Sequence, residues 1–280
     1  MRTKFYAILG VLSAALYMLY FCAVTTAHAQ TKNETKIVLR VMSYNIRHGQ
    51  GMDNAIKLER TANAIKEWKP DLVALQEVDR NTRRSGKTDQ TKLLTEHLGM
   101  YGVFGKTISL QGGDYGLAIL SRFPIREYKM VLLPPKIQQE QRGLLIAKIG
   151  IPDAGIPNED SKIPDSKIIC FACTHLSVAS QAERQVQGNK INDLLSLVNE
   201  PVILAGDFNA KPTNNVIIRL LPNWIDTAVP AYENNVIPVR QARIDYIFLR
   251  KQDTFDVWES RTINDTMTSD HMPILSIISF

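Results

Sequence analysis

The feature that most restricts this chain is a run of short apolar stretches that each stop abruptly at polar side chains. Residues 202–210, VILAGDFNA, set the pattern: the apolar run ends at Gly206 and delivers Asp207, Phe208 and Asn209 at its tip. A buried strand presents polar groups at the rim of a sheet in this way. On an extended chain Asp207 and Asn209, two apart, point to the same side. Taken alone, the pair reads more readily as a strand-end turn in which Asp and Asn cap backbone groups.

Other stretches repeat the pattern. Residues 37–46 (IVLRVMSYNI) end in Ser43, Tyr44 and Asn45, and residues 71–78 (DLVALQEV) end in Gln76 and Glu77. Between them, Asp53 to Trp68 carries apolar residues near helical spacing and is stopped by Pro70. A basic loop follows (residues 79–90, DRNTRRSGKTDQ), then a helix over Thr91–Leu98 and a pair of short strands within 101–110. Strands at 115–120, 128–133 and 144–149 read as an antiparallel meander interrupted by Pro124. Residues 152–167 are a polar, proline-containing loop with little to pack. Residues 168–176 form a strand ending at His175, and Gln181–Val198 form an amphipathic helix with Val186, Ile191, Leu194, Leu195 and Val198 on its buried side. After the strand at 202 comes an irregular region holding Trp224. Strands at 243–250 (RIDYIFLR), near 255–258 and from Ile274 complete the chain, the last preceded by Ser269, Asp270 and His271. Trp224 and Trp258 are expected in the core. With no internal repeat and no second boundary, these elements predict two packed, mostly antiparallel β-sheets with helices outside, an α/β sandwich in one domain over residues 30–280.

The first 29 residues stand apart. Arg2 and Lys4 precede an almost wholly apolar stretch, Phe5 to Val24, and Ala27-His28-Ala29 gives a small-x-small end. This is the plan of a secretory signal peptide and implies export to the periplasm or the cell exterior; an uncleaved membrane anchor is the competing reading. Removing it takes away two positive charges and no acids from a formal net charge of +5, a mild balance that suits a polyanionic substrate without demanding one. Of the remaining cysteines, Cys170 and Cys173 form a CxxC string inside a β-like run, where an odd separation sends the thiols to opposite faces. They are expected to be buried and unbridged.

Strand-end polar residues number eight: Asn45, Glu77, His175, Asp207, Asn209, Asp245, Asp270 and His271. Singly, each reads as a cap or a satisfied buried group. Gathered at one edge, the carboxylates would repel unless a cation or a reaction required them. Oxygen donors without thiolates favour a hard cation, Mg²⁺ or Mn²⁺; zinc competes because two histidines are available, although they lack a preformed ligand spacing.

The segments MSYNIRHG, LQEVDR, YGLAILSRFP, THL, GDFNA, RIDYIF and SDHMP, in this order from about Ile37 to the C-terminus, resemble the ordered motifs of the endonuclease/exonuclease/phosphatase superfamily. The resemblance implies a four-layer α/β sandwich and metal-dependent hydrolysis of phosphate esters. It makes Glu77 the main metal ligand with Asn45 beside it and Asp270 assisting. Asp207 and Asn209 would position or deprotonate the attacking water, His271, oriented by Asp245, would contact the scissile phosphate, and His175 would be a second phosphate ligand. Asp207 or His271 is the base; the two are one coupled unit. Arg80, Arg83 and Arg84 follow Glu77 and are expected over the metal site as a phosphate clamp, with Tyr115 and Arg142 bordering the pocket. The expected substrate is a phosphate ester, a nucleic acid or a phospholipid headgroup or sugar phosphate. No stable protein partner is expected, and the protein is expected to act as a monomer.

Overall fold

The computed structural model describes residues 36–134, 140–152, 167–229 and 243–280. The leader and all but the ends of the polar loop at 152–167 lie outside these residues. Twelve strands are formed among them: β1 (Val38–Asn45), β2 (Leu72–Arg80), β3 (Tyr101–Leu110), β4 (Gly113–Ser121), β5 (Ile125–Leu132), β6 (Gly143–Ile151), β7 (Lys167–His175), β8 (Val202–Asp207), β9 (Trp224–Asp226), β10 (Asp245–Arg250), β11 (Asp256–Thr262) and β12 (Ile274–Ser279). Four helices accompany them: α1 (Leu58–Trp68), α2 (Gln90–Leu98), α3 (Gln181–Ser196) and α4 (Asn215–Leu220).

The strands divide into two six-stranded sheets, β11-β12-β1-β2-β4-β3 and β5-β6-β7-β8-β10-β9. Each has one parallel pair at its centre, β1 with β2 and β7 with β8, and is otherwise antiparallel. Both parallel pairs are joined by a crossover helix, α1 and α3, as parallel pairing requires. The two halves of the chain thus share a topology that no sequence repeat announces.

Period-two alternation assigns every strand one face to a helix layer and one to the space between the sheets. On β1, Met42 and Tyr44 meet α1 while Leu39 and Val41 enter the interlayer core; on β7, Cys170 and Ala172 face the other helix layer while Ile169, Phe171 and Cys173 face inward. The two thiols are therefore free, buried and on opposite faces, as their spacing predicts. The helix–sheet–sheet–helix stacking is the four-layer sandwich.

Several local expectations change. The 101–110 segment is one strand, β3, with a bulge between Lys106 and Ile108 where two short strands were expected. The expected meander is cut at Pro124: β4 belongs to one sheet and β5 to the other, because proline has no N–H to continue the ladder. The first helix begins at Leu58, not Asp53, since Asp53 bonds the N–H of Ala55 and the guanidinium of Arg60 in a preceding turn. The region around Trp224 is not irregular but carries α4 and β9. Trp224 is core, whereas Trp258 is exposed on the edge strand β11. On α3, Val186 lies outside and Glu183, Gln187 and Gly188 are buried instead. Ser177 offsets the burial of those polar groups by meeting one oxygen of each: its hydroxyl donates to Glu183 at 2.6 Å and its N–H to Gln187 at 2.9 Å.

Candidate active site

The inward-facing series on four strands end in polar residues at one rim. On β1 the series Leu39, Val41, Ser43 reaches Asn45; on β7, Ile169, Phe171, Cys173 reaches His175; on β8, Ile203, Ala205 reaches Asp207. Strand β10 begins the same series with Asp245 before Ile247 and Leu249. The ladder sets His175 opposite Asp207 in the parallel pair and Asp207 opposite Asp245 in the antiparallel one. Three functional groups of one sheet thus lie side by side.

Glu77 arrives differently. Leu72, Ala74 and Gln76 take the inward positions of β2, so strict alternation would send Glu77 to the helix side. The register with β4 jumps from Leu75↔Ala118 to Val78↔Gly116, and Glu77 takes φ 58. This bulge turns its carboxylate back into the cleft, where Asn45 Nδ2 donates to Glu77 Oε1 at 3.0 Å and to Asp207 Oδ2 at 3.1 Å. One buried amide therefore ties the two sheets together across the site.

Asp207 is 1 % exposed and also accepts the N–H of Asn209 at 2.8 Å. Asn209 does not continue the strand: its φ of 48 ends the alternation, and its side chain donates to the carbonyl of Leu176 at 3.0 Å. It braces the loop and reaches Asp207 through its backbone, in place of a side chain parallel to the carboxylate. His271 Nδ1 lies 2.9 Å from Asp245 Oδ2, and its Nε2 lies 3.7 Å from Asp207 Oδ2, too long for a hydrogen bond. Both Nε2 and Asp207 stay open to a third group. His175 accepts from the Arg142 guanidinium at Nδ1 (3.1 Å), because an arginine can only donate. Its proton is thereby on Nε2, 3.4 Å from Asp207 Oδ2.

Electrostatics sort these groups. Burial pushes the Asp207 carboxyl up, and Asp245 adds to the shift against His271 and the donors from Asn209 and Asn45. Burial would lower His271, yet the hydrogen bond and charge of Asp245, with Asp207 and Asp270, raise it to about 9. His175 is driven well down by burial and by the neighbouring Arg142, so it is neutral. Burial raises Glu77, and Asp270 and Glu140 push the same way against Asn45 and His271.

Asp270 is half exposed, 3.5 Å from the guanidinium of Arg47. The expected clamp separates into three. Arg80 is drawn away to Asp114 at 2.6 Å and over the ring of Phe104, because β2 continues to it and fixes it opposite Asp114. Arg83 is exposed. Arg84 is gripped by both oxygens of Asp79 and lies over the ring of Tyr115, whose buried hydroxyl is raised by burial and by Glu77 and Glu140. Arg84, Tyr115 and Arg142 therefore remain beside the site. Sequence reading passed over Arg47, Glu140 and Ser269. Ser269 donates to the Asn45 carbonyl at 2.8 Å and accepts the N–H of His271 at 3.2 Å, and its place in the SDH string was the available signal.

The donor set fits a hard divalent cation. Glu77 is a desolvated carboxylate with further acids around it, and the buried Asp245 Oδ1 has no partner. Asp207, Asp245 and His271 also place ligand atoms within 4.8 Å of one another. Within that trio Asp245 and His271 are hydrogen-bonded at 2.9 Å, and Asp207 faces the other ring nitrogen at 3.7 Å without a bond. One nitrogen of each histidine is committed, His271 Nδ1 to Asp245 and His175 Nδ1 to Arg142.

A four-layer sandwich with carboxylates, an amide and imidazoles converging at one sheet edge is the architecture of the DNase I-like class. The chain belongs to the Endonuclease/Exonuclease/phosphatase family, which it matches over residues 42–271. The protein YbhP of Escherichia coli (strain K12) is 28 % identical over 182 residues, a stretch spanning 61 % of this chain and 66 % of YbhP. Nocturnin of Xenopus laevis is 27 % identical over 218 residues, 68 % of this chain and 53 % of that protein. An endonuclease/exonuclease/phosphatase structure from Beutenbergia cavernae superposes with a TM-score of 0.69 at 26 % identity, covering 86 % of this chain and 71 % of that one.

Proposed function

We propose that this protein is an exported, Mg²⁺-dependent phosphodiesterase acting as a nuclease of low sequence specificity, with Mn²⁺ able to replace Mg²⁺. The observation that carries this reading is the Asn45 amide, bonded at once to Glu77 on one sheet and Asp207 on the other. It joins an acidic, cation-fitting side of the cleft to a side rich in proton carriers.

A phosphodiester resists attack because it is anionic, so its hydrolysis needs positive charge on the phosphate and a base for water. Asp207, its carboxyl raised by burial, is suited to accept a proton from water at neutral pH, with Asn209 N–H and Asn45 fixing its orientation. His271, raised to about 9 and held by Asp245, is an imidazolium at neutral pH and offers its Nε2–H to a phosphate oxygen. His175, neutral, offers a second N–H from the same side. Arg142 and Arg84 supply fixed positive charge at the walls. Glu77, with Asn45 beside it and Asp270 nearby, would hold the cation, which when bound neutralises phosphate charge and lowers the barrier to attack.

The test is hydrolysis of bis-p-nitrophenyl phosphate with Mg²⁺ and with EDTA, beside the p-nitrophenyl monoester. Turnover of the diester that EDTA abolishes supports the proposal; turnover of the monoester alone makes the protein a phosphomonoesterase. Plasmid DNA, RNA, sphingomyelin and sugar phosphates then assign the substrate class. Asp207→Ala and His271→Ala should each abolish turnover while leaving the circular dichroism spectrum unchanged, and wild-type rates from either would refute its assigned role.

A further inference from the structure

Directly beneath the site, a polar contact interrupts the apolar layer between the sheets. Gln76 takes the inward position after Leu72 and Ala74 on β2, and Cys173 the inward position after Ile169 and Phe171 on β7. Both are fully buried. Gln76 Nε2 donates to Cys173 Sγ at 3.3 Å and to the Ala74 carbonyl at 3.2 Å, with Ser43 Oγ at the limit, 3.5 Å. The thiol in turn donates to the Leu75 carbonyl at 3.4 Å. The side chain of Cys173 is thus held by β2 twice, as acceptor and as donor, and burial pushes the thiol up to about 12, so it stays protonated for that second bond.

The amide is incompletely satisfied: Gln76 Oε1 is buried and has no partner. An unmet acceptor in an apolar layer is unfavourable, and a leucine of similar size would fill the space without it. The contact sits where geometry matters most. Gln76 immediately precedes Glu77 and is the first residue of the bulge that turns it inward; Cys173 is two residues before His175 and pairs with Ala205, two before Asp207. Above it the sheets are joined by Asn45, which is bonded to both carboxylates.

We propose that Gln76 is a positioning residue: its cross-sheet bond to Cys173 sets the separation between Glu77 on one sheet and the His175–Asp207 pair on the other. This inference rests on the phosphodiesterase reading of the same site. The test compares Gln76→Leu, Cys173→Val and the conservative Cys173→Ser with the wild-type full chain. Three quantities are measured: thermal midpoint with EDTA, the rise in that midpoint on adding Mg²⁺ or Mn²⁺, and kcat and KM for bis-p-nitrophenyl phosphate. Gln76→Leu should melt no lower than wild type, lose about tenfold or more in kcat with KM within about twofold, and show a smaller cation-induced rise. Cys173→Val should follow it, and Cys173→Ser should retain kcat. Gln76→Leu with wild-type kcat and a full cation-induced rise overturns the proposal. If Gln76→Leu does not fold, equal kcat in Cys173→Val and Cys173→Ser overturns it. If the wild type turns over no diester, the phosphodiesterase reading has failed, and the cation-induced rise alone decides the role of Gln76.

Discussion

Replacing Asn45 by alanine removes the link on which the site geometry turns. The side chain is 1 % exposed, and its amide nitrogen gives one bond to Glu77 Oε1 and one to Asp207 Oδ2, while its oxygen accepts the N–H of Arg47 at 3.1 Å. Hydrogen bonds to charged partners contribute about 1.5–3 kcal/mol each. Glu77 is only partly enclosed and exchanges its lost donor for water readily, whereas Asp207, 1 % exposed, recovers less. The net loss for Asn45→Ala is therefore about 2–4 kcal/mol at neutral pH, near the value of one such bond plus part of the second. For a domain of this size that lowers the melting temperature by roughly 4–16 °C. Urea unfolding with EDTA present measures it without interference from bound cation. Turnover should fall further than stability suggests, by about a hundredfold, because Asp207 retains its Asn209 bond but loses its cross-sheet donor. A variant within about 0.5 kcal/mol of wild type and with normal kcat would show that neither carboxylate depends on this amide, and the two-sheet account of the site would fail.

Three further outcomes are expected. Mg²⁺ at a hundred times its dissociation constant should stabilise the wild type by about 2.7 kcal/mol and should leave Glu77→Gln unmoved in a thermal-shift assay; an equal shift in both would remove Glu77 from the cation site. His48 is buried, and burial with Arg84 lowers its pKa to about 4. The unfolded chain therefore takes up its proton first, so the His48 contribution is complete above about pH 6.5 and is lost as pH falls toward 4, about 2 kcal/mol of it by pH 5. His48→Asn tolerates the φ of 44 at this position and should flatten the urea-measured stability between pH 7.5 and pH 5 by that amount; parallel profiles would refute the assignment. Arg142→Met should lower kcat for the diester by about tenfold, because His175 loses the donor that fixes its tautomer, while Arg80→Met stays within about twofold; the reverse order would restore Arg80 to the site.

What could be seen in the sequence follows from parity. Asn45, His175, Asp207 and Asp245 each keep the parity of an inward apolar series: His175 and Asp207 two residues past Cys173 and Ala205, Asn45 two past Ser43, and Asp245 two before Ile247, so counting in twos finds them without coordinates. The separation of the two thiols is the same inference in another place. Where a residue leaves the strand lattice, parity says nothing. Asn209 adopts a left-handed backbone, and no property of GDFNA distinguishes a side chain beside Asp207 from one turned to the carbonyl of Leu176. Arg80 and Arg84 looked alike in a basic loop, yet β2 runs on far enough to carry Arg80 to Asp114, and Asp79 captures Arg84. On α3, an apolar count favours Val186 over Glu183, because the compensating partner, Ser177, lies outside the helix.

Glu77 is the instructive case, since the chain names it correctly and alternation places it wrongly. An unbroken β2 would bury Gln76 between the sheets and aim Glu77 at the helices with Val73 and Leu75. Its inward turn needs two residues of β2 opposite Leu117 alone and a left-handed glutamate, a conformation costing about 1–2 kcal/mol for a residue with a Cβ. Strand β4 accommodates this through Gly116, opposite Val78, where any Cβ would run into the carbonyl of Gly105 on β3. Strand β3 bulges at the same level, between Lys106 and Ile108, and the hydroxyl of its extra residue Thr107 donates to Tyr115. Two adjacent bulges with a glycine between them thus flank Glu77 and Tyr115. Filling that space should move both at once: Gly116→Ala is expected to lower the cation-induced thermal shift and raise KM in the same variant. A variant that changed one and spared the other would show that the two bulges act independently.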